Sequence, residues 1–151
     1  MRTWRSPGDG PLLYAPIPAH TPRSPPMNSL AALAGRILLA LIFLLSGIDK
    51  FVHYAPTLGY MTKVGLPFPE VLLIASGIIE IVAALAIIAG WNARWAAAAL
   101  VLWMIPVTLV FHSPAGGQEQ MAHFMKNVSI MGGLLVLWAM GPGALSLRRS
   151  G

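Results

Sequence analysis

Two ionisable side chains interrupt long apolar runs: Arg36, in Ala31 to Gly47, and Glu80, in Val71 to Ala89. A carboxylate surrounded by hydrocarbon is costly unless it is paired, hydrated or protonated, so Glu80 marks a place where a proton can be held or exchanged. A second set gathers at the ends of the apolar runs: Asp49, Lys50, His53, His112, His123, Lys126 and Asn127. These groups offer hydrogen-bond donors, a general acid or base, and positive charge for an oxygen-bearing ligand. Glu80 and His112 are therefore the candidates for proton transfer. Arg36, Asp49, Lys50, Lys126 and Asn127 are the candidates for holding a cofactor. Three histidines raise the possibility of a metal, but no HxxxH or HxH spacing supports it, and no metal ligand is assigned.

Purely structural roles fit the same residues. Arg36 and Glu80 lie about six and ten residues from the same end of their runs, depths of roughly 9 and 15 Å at 1.5 Å per residue, so an ion pair between them would fix helix register. Ser76, Gly77, Ala83 and Ala84 surround Glu80 with a small and polar stripe suited to a bundle interior. Arg36, Gly47 and Lys50 share one helical face, and the terminal polar groups would also suit plain interfacial solvation.

The elements that must position these groups are membrane helices. The chain has 151 residues, of which 56% are hydrophobic and 10% charged, and its mean hydropathy is +0.70. That is far below the quarter of charged residues usual in soluble domains. Four segments are long enough to cross a hydrocarbon core roughly 30 Å thick: about Ser29 to Gly47, Pro69 to Ala89, Ala93 to Phe111, and Phe124 to Met140. The expected architecture is all-α, an integral membrane four-helix bundle. A short interfacial helix, opening near Pro56 and closing at Gly65, joins the first two spans. Pro106 should kink the third span, and Gly132 with Gly133 should let the fourth approach its neighbours closely.

Residues 1–26 hold seven of the thirteen prolines and read as a disordered tail, with Met27 as an alternative start; residues 27–151 form the membrane domain. The net charge of +5 is spread singly over helix ends, which suits membrane topology rather than nucleic acid. Arg2, Arg5, Arg23, Arg94, Arg148 and Arg149 on one side against Lys50, Lys63 and Lys126 on the other place both termini in the cytoplasm. The chain has no cysteine, which removes thiol, iron-sulfur and CxxCH haem chemistry, so no covalently bound cofactor is expected.

Several short motifs recur in a familiar order: Gly35-Arg36, Ser46-Gly47-Ile48-Asp49-Lys50-Phe51, Gly65-Leu66-Pro67, Glu80, Phe111-His112, Met125-Lys126-Asn127, Gly132-Gly133 and Gly141-Pro142-Gly143-Ala144-Leu145-Ser146. From about Ser29 to Ser146 the chain resembles the DoxX family of bacterial four-helix membrane proteins. The resemblance implies an inner-membrane protein related to the DoxD-type subunit of thiosulfate:quinone oxidoreductase, a quinone as the cofactor, and a soluble or membrane redox partner. Arg36, Lys50, Glu80, His112, Lys126 and Asn127 are the positions it matches. The family's closing motif commonly continues with an aspartate, where this chain has Leu147-Arg148-Arg149. The competing expectation is a non-enzymatic binding, transport or assembly module.

Overall fold

A computed structural model describes residues 26–112 and 116–147, with side chains from Ser29 onward. The proline-rich stretch read as a disordered tail lies outside the described residues up to Pro26, as do Arg148 and Arg149. Among the described residues there are five helices: α1 (Pro26–Val52), α2 (Tyr54–Lys63), α3 (Pro69–Ala89), α4 (Ala93–Phe111) and α5 (Gln118–Met140). No described residue is in a strand.

Local chemistry explains the limits of α3 and α4. Pro69 opens α3, where its missing N–H costs nothing, and Glu70 stands in the positively charged first turn. At the other end Gly90 takes φ +73°, and the amides of Gly90 and Trp91 close on the carbonyls of Ile87 and Ala86. Two residues later α4 begins, so α3 and α4 form a tight antiparallel hairpin. The α4 helix runs through Pro106 and stops at His112.

Gly47, expected to end the first span, instead lies inside α1. A Cβ there would stand 2.7 Å from Ile81 Cγ1 and 2.9 Å from the Gly77 carbonyl oxygen. Gly77 answers from α3, packed under the Phe51 ring. The glycine serves a close helix crossing rather than a stop, and α1 continues to Val52. Similarly, α5 starts six residues before the expected Phe124, because Gln118 to His123 are helical. Of the two glycines in α5, Gly133 packs on Leu39, whereas Gly132 faces open space.

The helices pack in the order α1, α3, α4, α5, while α1 and α5 meet over only a few residues. The core is built from small residues (Ala40, Ala83, Ala84, Ala97) interleaved with Ile87, Leu100, Met104, Leu134 and Leu137. Large apolar side chains such as Leu38, Leu102 and Met140 point outward on all sides. Such a surface suits lipid, since water would leave it a continuous hydrophobic patch. By length and composition α1, α3 and α4 can each cross a membrane, with mean hydropathies of 2.2, 2.7 and 1.8. The α5 helix matches them in length, but its first ten residues include Gln118, Glu119, Gln120, His123, Lys126 and Asn127.

The Gly47–Gly77 crossing generates a direct test. Gly47→Ala should lower stability by about 1–3 kcal/mol through overpacking. Gly132→Ala, placed in open space, should change it by less than about 0.5 kcal/mol. Thermal unfolding of the detergent-solubilised variants reads the difference.

Candidate functional site

Glu80 is buried in α3, and its partner is Lys50, whose Nζ lies 2.7 Å from Glu80 Oε2. The same ammonium donates to Ser46 Oγ at 2.9 Å. The expected Arg36–Glu80 pair does not form, and side-chain direction explains why. Helical side chains lean toward the N-terminus of their own helix. Because α1 and α3 are antiparallel, Glu80 leans toward the α2 end of the bundle, and Lys50 leans from that end down to meet it. Arg36 leans the opposite way, toward the α3–α4 turn.

There Arg36 is buried against the C-terminal segment 141–147. Its Nη1 donates to the Pro142 carbonyl at 2.9 Å and its Nη2 to the Leu145 carbonyl. The Leu147 amide donates to the Ala89 carbonyl at 3.1 Å, so the segment is held across the end of α3. Arg94 reaches the Ala139 carbonyl at 3.4 Å from the other side. Arg94 thus serves the carbonyl-rich C-terminal end of α5, where the helix dipole favours positive charge, and Arg36 the carbonyls of the segment that follows it.

A cavity of about 590 Å³ occupies the half of the bundle toward α2. Lys50, Ser46, Glu80 and Ser76 line one wall, and Trp103, Met104, Pro106 and Phe111 of α4 line another. Thr57, Tyr60 and Met61 of α2 cover its end, where Tyr60 and Phe111 bring their rings within 5.7 Å. The α2 helix is tied to α3 by a 2.8 Å hydrogen bond from the Tyr54 hydroxyl to Glu70. That bond, followed by desolvation and the charge of Glu70, raises the Tyr54 phenol above its ordinary pKa.

The structure gathers Lys50, Glu80, His112, Lys126 and Asn127 on this one cavity. Asn127 is buried and donates to Thr108 Oγ1 at 3.0 Å, which locks α5 to α4. His112 lies 3.1 Å from Gln120 Oε1 and stacks on His123 at 5.0 Å, and Lys126 Nζ is 3.4 Å from His123 Nδ1. Asp49 stands apart from the cavity in an exposed pair with His53, at 2.7 Å. Arg36 belongs to the opposite end. Ser46, Thr108 and Gln120 were not singled out from the sequence. The four-residue spacing of Ser46 and Lys50 was a usable signal, whereas nothing local links Thr108 to Asn127.

Arg36→Lys keeps the charge but replaces a planar fork by a single ammonium, which cannot hold the Pro142 and Leu145 carbonyls in the same way. The Leu147 amide should then exchange its hydrogen about tenfold faster. Unchanged exchange would show that the segment is held without Arg36.

The chain has relatives of matching size. Residues 31–113 match the model of the DoxX family. Inner membrane protein YphA of Escherichia coli K12 is 34% identical over 123 residues, covering 78% of this chain and 87% of that protein. Inner membrane protein YqjF of the same organism is 33% identical over 126 residues, covering 82% and 93%. An uncharacterized membrane protein of Mycobacterium tuberculosis is 32% identical over 126 residues, covering 76% and 77%. No solved structure matches the chain. Family match, relatives and lipid-suited helices agree: the chain is an integral membrane protein and belongs to the DoxX family.

Proposed function

We propose that this protein binds a quinone in the cavity beneath α2 and serves as the quinone-interacting subunit of an inner-membrane oxidoreductase complex. The observation that carries the reading is the cavity itself: about 590 Å³, mostly apolar, with a Lys50–Glu80 ion pair on its wall. Its size lies in the range of small-molecule sites, which combine apolar walls with a few placed polar groups. Those residues fit a quinone, an apolar ring and tail with two carbonyl oxygens. When bound, the quinone supplies a two-electron, two-proton carrier; the electrons pass to or from a soluble or membrane redox partner.

The side chains have distinct tasks. Lys50 would hold the group by donating a hydrogen bond to one of its oxygens, and would place its positive charge beside that oxygen. Glu80, hydrogen-bonded to Lys50, takes up or releases a proton at its carboxylate. His112, at the cavity rim and stacked on His123, connects that proton with the aqueous side, and Lys126 makes the rim positive. Asn127 holds the wall in shape through Thr108. Arg36 acts on the C-terminal segment and Asp49 at the surface, neither on the ligand.

In this reading α5 is a fourth span. It is 23 residues long and packs along α4, and its buried Asn127 finds its partner inside the bundle. The two Escherichia coli relatives, both named inner membrane proteins, support an inner-membrane location, and the arginine distribution supports cytoplasmic termini. The cavity then lies in the outer half of the membrane. A non-enzymatic binding, transport or assembly module is the second reading. It is favoured by one feature: the Lys50–Glu80 pair is closed on itself and satisfied without a ligand.

Quinone binding to the purified protein separates the two. Wild type should bind a short-chain quinone saturably, and Glu80→Gln should weaken binding about tenfold. Folded wild-type protein that takes up no quinone favours the second reading.

A further inference from the structure

Three buried side-chain nitrogens lack a partner among the described residues: Arg36 Nε, Arg94 Nε and Trp103 Nε1. The two arginines already donate through other atoms of the same group. Trp103 has no second polar atom, so its entire hydrogen-bonding capacity is unused. A buried donor without an acceptor is costly, and such groups tend to mark a site where a ligand supplies the missing partner.

Trp103 lines the same cavity as Lys50 and Glu80. Glu80 lies nine residues before the end of α3 and Trp103 ten residues after the start of α4, heights of about 14 and 15 Å above the shared turn. The indole and the ion pair therefore stand at one level of the bundle on neighbouring helices. Nε1 itself has almost no accessible surface, so a ligand in the cavity that Trp103 lines meets this N–H only when the half-buried indole turns it inward.

Resting on the quinone reading of the cavity, we infer that Trp103 donates the hydrogen bond to a second ligand oxygen, opposite the one held at Lys50–Glu80. The site then selects a ring with acceptor oxygens on opposite edges, bound level with Glu80. A ring with oxygen on one edge only leaves the indole N–H unsatisfied and binds less well. Trp103 is thus a positioning and specificity residue, while the proton stays with Glu80.

The test uses the full-length purified protein in detergent with decylubiquinone, and dodecylbenzene as an oxygen-free probe of the same apolar character. Trp103→Phe keeps an aromatic wall and removes only the N–H and part of the ring. It should weaken decylubiquinone about five- to tenfold and leave dodecylbenzene unchanged. In the infrared spectrum of the bound quinone, one of two shifted carbonyl bands should return toward its free position. Equal weakening of both probes, or unchanged quinone affinity with both bands still shifted, overturns the role of Trp103. Failure of the wild type to bind decylubiquinone overturns the quinone reading itself, and this inference with it.

Discussion

A carboxylate near the middle of an apolar bundle has to be compensated where it stands, and in this protein the Lys50 ammonium does it. The Lys50–Glu80 contact spans α1 and α3, the two helices that pack most extensively on each other. It depends on backbone approach, since Gly47 and Gly77 let the helices come close enough for a lysine at the end of one to reach a glutamate well inside the other. Ser46 completes the cage by accepting from the same ammonium. The charges are neutralised together and stay beside a cavity, where a polar ligand can compete for either partner.

The two ends of the bundle are consequently different in kind. Toward α2 the bundle encloses a cavity rimmed by His112 and Lys126, with His123 stacked on His112. Toward the α3–α4 turn small and aliphatic residues fill the interior, and Arg36 closes the end by binding carbonyls of the C-terminal segment. Arg36 therefore contributes through order rather than chemistry. The electrostatics agree, because helix C-termini and loop carbonyls supply the negative partial charge that a second carboxylate would otherwise provide.

The parts of the fold legible in the sequence were those set by local rules. The limits of α3, Pro69 to Ala89, were read directly from the sequence, because Pro69 at one end and the glycine that follows Ala89 at the other act on the backbone where they stand. The function of Gly47 was not local: a glycine at a helix crossing and a glycine at a helix end look alike until the neighbouring helix is known. The site was legible as a list of residue types, but its pairing was not. Depth along the membrane normal put Arg36 within reach of Glu80, and the opposite lean of side chains on antiparallel helices reversed the choice in favour of Lys50. The unpartnered indole nitrogen of Trp103 likewise had no signature in the sequence.

The measurement closest to the central claim is a pair of double-mutant cycles on unfolding free energy, one on Lys50 and Glu80, the other on Arg36 and Glu80, using Lys50→Met, Arg36→Gln and Glu80→Gln. Direct contact predicts a coupling of about 1–3 kcal/mol for Lys50 with Glu80, and additivity within about 0.5 kcal/mol for Arg36 with Glu80. Coupling confined to Arg36 and Glu80 would contradict the account, since the buried carboxylate would then be held from the opposite end of the bundle, away from the cavity.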